Sequence, residues 1–230
     1  MKTMKQTKID NLTKASIDKN NEYNENENNE KNNEPLGFTG LVNMGNTCYI
    51  NAAIQCLIHL PEFRILAQNV FNNIRNKEGI LLVELEKLAK MMWSENCVIA
   101  PGAFIQTIQR LAKIKNRQIF TGYAQNDLPE LLTFLFECFH NGLKREVIFK
   151  VKNNINTFNE IQKKCLEYQK KIYEKEFSEI YEMFFGIQIS TLYDLSNNYL
   201  DSTPEQYFTL HLPIPDNTNN ISLKDCINKY

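Results

Sequence analysis

GLVNMGNTCYINAAIQCL, residues 40–57, is the most informative stretch of this chain. A turn rich in Gly and Asn leads into an apolar run with helical spacing, and Cys48 stands where the two meet. Asn46 or Thr47 can cap the first helical turn, and Pro61 ends the run. The pattern predicts a short helix with Cys48 in its opening turn.

A cysteine in this position has the surroundings that covalent catalysis needs. The thiolate is the attacking form, and the free N–H groups and dipole of a helix N-terminus favour negative charge. Gly45 permits a sharp turn, and the amide of Asn43 could donate to the oxyanion of an acyl transfer. The alternative is packing, because free cysteines are among the most buried residues. We keep the packing interpretation for the other five: Cys56, Cys97, Cys138, Cys165 and Cys226.

The overall composition argues against several kinds of partner and location. A formal net charge of -1 gives no reason to expect nucleic acid or an anionic membrane as a partner. Six irregularly spaced cysteines without a CxxC pair favour a reducing compartment over a disulfide framework. The charged N-terminus is followed by no apolar signal segment, and the apolar runs are too short to span a bilayer. We therefore expect a soluble intracellular protein of the cytoplasm or nucleus.

The chain changes character at Pro35. Residues 1–34 consist mainly of Asn, Glu and Lys and offer little to bury, which predicts a disordered tail. Residues 35–230 are expected to form the folded domain, and its first part, residues 35–143, to be mainly helical. Apolar residues at helical spacing predict further helices within residues 81–92, 104–111 and 126–143. In the last of these we expect Asp127 at the N-cap, Pro129 in the first turn and Gly142 at the end.

The remaining two segments have different patterns. Residues 144–182 are charged and keep only a loose helical period, so an inserted helix and a mobile connection both stay open. In residues 183–230 the period changes to two: GIQISTLYDL, residues 186–195, and QYFTLHLPIP, residues 206–215, predict strands. ISLKDCINKY, residues 221–230, predicts the start of a further helix.

Residues 40–57 closely resemble the cysteine box of the ubiquitin-specific proteases, papain-like deubiquitinases that cleave after the C-terminal glycine of ubiquitin. The agreement covers Gly40, Leu41, Asn43, Gly45, Asn46, Thr47, Cys48, Tyr49, Asn51, Gln55 and Leu57. The resemblance implies that Cys48 is the nucleophile, which forms a thioester with the ubiquitin C-terminus. It also implies that Asn43 contributes to the oxyanion hole.

A second motif, FTGYAQNDLPELL at residues 120–132, resembles the family's Gln-x-Asp-Ala-x-Glu box. Gln125, Asp127 and Glu130 agree with it, whereas Leu128 replaces the alanine. The resemblance implies that these three polar residues support the site and the ubiquitin tail. The alternative is a capped and solvated helix start, since such residues favour caps.

A third motif, residues 184–214, looks like the beginning of the family's fingers, where many members carry a zinc-binding CxxC. This chain has Asp194 and Asn197 at those two positions, and such a pair is a poor substitute for thiolate ligands. We therefore predict no structural zinc and no cofactor. The resemblance implies an α+β, papain-like fold: a helical thumb, then the first strands of the fingers, with an incomplete palm. It also implies ubiquitin or ubiquitinated proteins as partners.

The resemblance also exposes a missing group. The family's general-base histidine lies in a box late in the chain, and no such box is present here. His59 ends the cysteine helix, His140 lies near the end of the fourth helix and His211 in a predicted strand, so we expect structural roles for all three. Three explanations stay open: a truncated relic, a remainder supplied by a separate chain, and a pseudoenzyme that only binds ubiquitin.

Overall fold

The computed structural model describes residues 35–68, 74, 77–122, 124, 126–151, 158–216 and 220–230. The predicted tail at residues 1–34 and the site residue Gln125 lie outside these ranges. In the described part, eight α-helices are α1 Cys48–Ile58, α2 Pro61–Gln68, α3 Ile80–Met92, α4 Gly102–Ile114, α5 Leu128–Leu143, α6 Glu160–Glu176, α7 Glu179–Phe184 and α8 Leu223–Lys229. Four strands are β1 Gly40–Leu41, β2 Val98–Ile99, β3 Gly186–Tyr193 and β4 Tyr199–Tyr207.

This mixture of helix and sheet confirms the predicted α+β class. The chain divides into two compact units. The helical unit contains residues 35–146 and Glu176–Met183, and the hairpin unit contains Val147–Lys175 and Phe184–Tyr230. None of the helices that the structure describes is long and apolar enough to cross a membrane.

The core of the helical unit consists of the apolar faces of its helices. On α3, every residue on which the helix prediction rests is buried: Leu81, Leu82, Leu85, Leu88, Ala89 and Met92. The helix prediction for α4 is confirmed in the same way by buried Phe104, Ile105, Ile108 and Leu111. Helix α3 packs against α2, α4 and α5, and α1 packs against α2 and α5. These long one-sided patterns stabilise helices mainly through the apolar surface that they bury together.

Helix α2 is an element that the sequence patterns did not predict. Helix α1 ends at Ile58, before Pro61 as expected, but Pro61 is also the first residue of α2. Proline is well tolerated at this position because the first N–H groups of a helix have no intrahelical partner. Phe63 and Ala67, one turn apart on α2, bury the face that packs against α3.

Gly142 does not end α5, as we expected it to. The helix continues to Leu143, and Lys144 is its C-cap. A Cβ on Gly142 would lie 2.7 Å from the Leu82 Cδ1 atom and 2.9 Å from the Gly79 Cα atom. Gly142 therefore permits close packing of α5 against the 3-10 turn Lys77–Gly79, and it does not terminate the helix.

Strands β1 and β2 are parallel, with Gly40 paired to Val98 and Leu41 to Ile99. Two residues are too few to show a strand period, so the sequence pattern did not predict either strand. Their pairing matters because it attaches the segment before Cys48 to the loop between α3 and α4. The same segment also contacts α1, through Asn51 Nδ2 and the carbonyl oxygens of Leu41 and Val42.

The hairpin unit is built from α6, the antiparallel strands β3 and β4, and α8. Of the two possibilities left open for residues 144–182, the structure has a helix, α6, over 17 of them. Helix α6 contacts β4 through the Lys164–Asp201 ion pair at 2.6 Å and through the Tyr168 hydroxyl, which accepts from the Gln206 N–H at 3.2 Å. The predicted α8 is confirmed and begins with a capping box between Ser222 and Asp225.

Strand β4 lies earlier in the chain than predicted. We expected a strand at residues 206–215, but β4 ends at Tyr207 and His211 lies outside the strands. The sequence of β4, YLDSTPEQY, does not alternate, and its pairing with β3 rests on backbone hydrogen bonds instead. Pro204 is compatible with that position because β4 is an edge strand of a two-stranded sheet.

Candidate active site

Cys48 is the first residue of α1, as predicted, and its side chain is exposed. Thr47 is the N-cap, and its carbonyl accepts the first helical hydrogen bond from the Asn51 N–H at 2.9 Å. The helix therefore presents the thiol to solvent at the end where its N–H groups are unpaired.

The turn before Cys48 has a left-handed backbone at two successive residues. Gly45 has φ 88° and Asn46 has φ 52°, and glycine and asparagine are the residues that adopt this region most readily. The Met44 N–H donates to the Thr47 hydroxyl at 2.9 Å, which closes the turn. The sequence signal for a sharp turn at Gly45 is confirmed.

Asn43 is held by Thr47 through two hydrogen bonds. The Thr47 N–H and hydroxyl lie 3.0 Å and 3.2 Å from the Asn43 Oδ1 atom. A backbone N–H can only donate, so the atom that it meets must be the amide oxygen and the other atom must be Nδ2. Nδ2 has no partner among the described residues, and the side chain is exposed. The contact, called here the Asn43–Thr47 clasp, leaves a free amide donor next to the residue that caps the Cys48 helix.

The second predicted motif lies at the start of α5. Asp127 is the N-cap in its backbone conformation, but its exposed carboxylate makes no capping hydrogen bond. Glu130 lies in the first turn and is also exposed. The structure thus brings Asp127 and Glu130 to one helix end, where Pro129 stands in the first turn as predicted.

Asn126 joins this helix start to the Cys48 helix, and sequence analysis missed it. Its Nδ2 atom lies 3.2 Å from the Tyr49 hydroxyl, 2.8 Å from the Ile119 carbonyl oxygen and 3.1 Å from the Ala124 carbonyl oxygen. Tyr49 directly follows Cys48. Asn126 stands between the two motif residues Gln125 and Asp127, but a run of polar residues does not reveal which of them reaches across to another helix.

His59 lies at the far end of the Cys48 helix, and His211 lies outside the strand in which it was predicted. His59 follows α1 eleven residues after Cys48, about 16 Å along a regular helix. Its ring nitrogens lie 2.7 Å from the Gln55 carbonyl oxygen and 2.9 Å from the Gly37 carbonyl oxygen. His211 is exposed in the irregular segment after β4.

His140, the third histidine, is buried in the helical unit. Its Nδ1 atom lies 2.8 Å from the Ser178 Oγ atom, its ring stacks on Tyr181 at 3.7 Å between centroids, and Nε2 lies 3.6 Å from Glu176 Oε2. Burial lowers the pKa of His140, while the Glu176 carboxylate opposes that shift and Lys144 adds to it. His140 therefore holds the segment Glu176–Met183 to the end of α5.

We expect the protein to lose stability as the pH falls from 7.5 to 5.5. The unfolded chain protonates His140 near its usual pKa of 6.5, whereas the folded protein holds that pKa lower. Neutral His140 therefore makes its full contribution to the free energy of unfolding above pH 6.5, and this contribution declines as the pH falls below 6.5. Urea unfolding at both pH values measures the loss, which we expect to be smaller in His140→Gln. An equal loss in both proteins contradicts the prediction.

All six cysteines are free thiols. Cys138 and Cys165 are buried, and burial raises the pKa of Cys138 to about 12. Their packing role is confirmed. Cys56 was also expected to pack, but it is exposed because it lies on the solvent side of α1. Cys97 and Cys226 are partly exposed.

The pair predicted to be unsuited to zinc lies in the turn between β3 and β4. Both carboxylate oxygens of Asp194 accept hydrogen bonds from Asn198, one from its backbone N–H at 2.7 Å and one from its Nδ2 at 2.8 Å. Asn197 has φ 66° in the same turn. Within the described ranges, no group of three or more His, Cys, Asp or Glu side chains could hold a metal ion.

The fold and the exposed cysteine at the helix start together define a papain-like α+β domain. The family model described as ubiquitin carboxyl-terminal hydrolase matches residues 39–222. The chain belongs to the ubiquitin carboxyl-terminal hydrolase family.

Curated relatives resemble most of the chain. Ubiquitin carboxyl-terminal hydrolase 2 of Bos taurus is 31% identical over 204 residues, which are 84% of this chain and 33% of the relative. Ubiquitin carboxyl-terminal hydrolase 5 of Arabidopsis thaliana is 33% identical over 193 residues, 79% of this chain and 20% of the relative. Ubiquitin carboxyl-terminal hydrolase 12 of Saccharomyces cerevisiae is 28% identical over 225 residues, 88% of this chain and 18% of the relative. The chain thus spans a third or less of their length.

A solved structure shares the fold. A chain of the SAGA DUB module with Ubp8, Sgf11, Sus1 and Sgf73 bound to monoubiquitin matches with a TM-score of 0.52 at 20% sequence identity. The match covers 84% of this chain and 38% of that chain. At this identity the likeness shows the fold alone.

Proposed function

We propose that Cys48 is the nucleophile of a ubiquitin carboxyl-terminal hydrolase that cleaves after the C-terminal glycine of ubiquitin. The Asn43–Thr47 clasp carries this proposal, because it holds a free amide donor against Thr47, the residue before an exposed thiol at a helix N-terminus. Family membership and a structural neighbour that is bound to monoubiquitin support ubiquitin or a ubiquitinated protein as the partner. Six free thiols fit a reducing compartment, the cytoplasm or nucleus.

The chemistry follows from these groups. The Cys48 sulfur bonds to the glycine carbonyl carbon, and the C=O electron pair moves to the oxygen. Asn43 Nδ2 and backbone N–H groups near Cys48 stabilise that oxyanion. The oxyanion then collapses, the protonated amine leaves, and a thioester remains for water to hydrolyse. In this scheme Asp127 and Glu130, with Gln125, support the site and the ubiquitin tail.

The thiol proton needs an acceptor, and we place that base outside residues 1–230, in the part of the domain that completes the palm. His59 and His140 contact other groups, and the chain spans a third or less of its relatives' length. The same histidine contacts favour a second candidate function, a ubiquitin-binding protein without turnover.

Covalent capture by ubiquitin with a C-terminal electrophile tests the proposal. We expect capture by the wild type and by Cys56→Ser, and none by Cys48→Ser. Cys56→Ser is a matched control because both thiols are exposed on α1. Binding without capture would favour the ubiquitin-binding candidate, and capture that persists in Cys48→Ser would overturn the role of Cys48. Steady hydrolysis of a fluorogenic ubiquitin substrate by residues 1–230 alone would contradict the need for a base from outside them.

A further inference from the structure

One face of α1 forms a regular series of hydrogen bonds to the chain segment that leads to Asn43. Asn51 Nδ2 donates to the carbonyl oxygens of Val42 at 3.0 Å and Leu41 at 3.3 Å. Gln55 Nε2 donates to the Thr39 carbonyl oxygen at 2.7 Å. The contact between His59 Nε2 and the Gly37 carbonyl oxygen, at 2.9 Å, continues the series.

The spacing of these contacts follows from helix and strand geometry. Their donors are four residues apart on α1, so they share one face and rise about 6 Å at each step. The acceptors Gly37, Thr39 and Leu41 are two residues apart, which is about 6.6 Å at each step of extended chain, where every second carbonyl points the same way. Val42 follows directly and gives Asn51 a second acceptor at the end of the series. The two repeats agree, so residues 37–42 lie along α1 in the opposite direction. We call this series the α1 ladder.

The other edge of the same segment is held as well. The Gly40 and Val42 N–H groups donate to the Cys97 and Ile99 carbonyl oxygens at 2.8 Å and 2.9 Å. The Thr39 hydroxyl lies 2.9 Å from the Met92 carbonyl oxygen. The segment is therefore held between α1 and β2, and Asn43 is the first residue after it.

Asn51 makes the ladder contacts nearest to the thiol, and keeping an amide there is costly. Its Oδ1 atom is buried and has no hydrogen-bond partner among the described residues. A buried polar atom without a partner destabilises a fold, and an apolar side chain would avoid that cost. Such a side chain could not hold the two carbonyl groups that precede Asn43.

We propose that Asn51 and Gln55 are positioning residues, which set the distance between the Asn43 amide and Cys48 by tying residues 37–42 to the helix that begins with Cys48. This inference rests on the proposed function, since it assigns the ladder to the same oxyanion site. Neither residue touches the reacting atoms. Because Cys48 and the ladder share one rigid helix, losing a ladder contact moves Asn43 and leaves the thiol where it is.

The test compares two reagents for Cys48. Ubiquitin aldehyde forms a tetrahedral adduct: the sulfur–carbon bond forms, and the carbonyl oxygen takes the thiol proton. Iodoacetamide alkylates the sulfur, releases iodide and uses no oxyanion donor. We expect Asn51→Leu to weaken the aldehyde adduct about tenfold, and to change the alkylation rate at Cys48 less than twofold, because misplaced groups lose catalytic contacts steeply. We expect Gln55→Leu to act in the same direction and Cys56→Ala to change neither.

Amide hydrogen exchange in residues 43–48 keeps the two proposals distinguishable. We expect faster exchange there in Asn51→Leu than in the wild type or Cys56→Ala. If the wild type forms no aldehyde adduct, the proposed function fails, while faster exchange would still support the ladder. If folded Asn51→Leu and Gln55→Leu both keep wild-type exchange and adduct affinity, the ladder inference is overturned. If Asn51→Leu does not fold, Gln55→Leu alone decides the outcome.

Discussion

Asn43→Asp is expected to weaken the ubiquitin aldehyde adduct of Cys48 by about 100-fold, the effect of losing one oxyanion donor. The aspartate keeps the acceptor oxygen, so both bonds from Thr47 in the clasp persist. It replaces the free Nδ2 donor with a second acceptor that carries negative charge. The variant therefore removes the donor without releasing the turn, and titration of the adduct measures its effect.

Unmodified ubiquitin provides the internal control for Asn43→Asp. Its carboxylate forms no tetrahedral adduct, so its affinity is expected to fall less than that of the aldehyde, by repulsion from the new negative charge alone. Thermal unfolding is expected to stay close to the wild type, because the clasp persists. If the aldehyde adduct forms with unchanged affinity in a folded Asn43→Asp protein, the side chain is not an oxyanion donor.

Gly142→Ala is expected to lower the free energy of unfolding by about 1–2 kcal/mol, as overpacking does in a dense core. The new Cβ would meet the Gly79 backbone at 2.9 Å, and a backbone atom moves less easily than the end of a side chain. The sign of this change in free energy is informative, because replacing a glycine by alanine inside a helix stabilises the protein by up to about 1 kcal/mol when space is free.

Gly122→Ala is the matched control for this prediction. A Cβ on Gly122 would meet nothing within 4 Å. Denaturant unfolding of both variants is expected to show a clear loss for Gly142→Ala and a change within about 0.5 kcal/mol for Gly122→Ala. A stabilised Gly142→Ala protein would show that the contact between α5 and the turn Lys77–Gly79 relaxes without cost.

Local patterns predicted helices α1, α3, α4 and α5 and the helix start at Cys48. Helices such as α3 bury one continuous face, so their apolar residues repeat over several turns and the period is visible. The turn before Cys48 was also predictable, because the left-handed backbone of Gly45 depends on the residue type and not on contacts with distant residues. The predicted position of strand β4 was wrong because backbone hydrogen bonds to β3 hold this strand. Such bonds require no alternation of apolar and polar side chains in the sequence.

Long-range contacts explain what sequence analysis missed at the site. Asn126 meets Tyr49 across 77 residues, and His140 meets Ser178 across 38. An isolated Asn or His has the same appearance in the sequence whether it is solvated or holds two helices together. Asn43 was predicted to be an oxyanion donor from its local sequence and from its place in a motif, and the Thr47 contact that orients its amide became visible in the structure.

The turn between β3 and β4 has a consequence for the order of folding. Asp194 and Asn198 are four residues apart, so closing this loop costs little chain entropy. We expect the hairpin to nucleate at this tip and to pair toward Gly186 and Tyr207 afterwards. Asp194→Ala would then slow folding more than it speeds unfolding, which the two arms of a chevron plot separate.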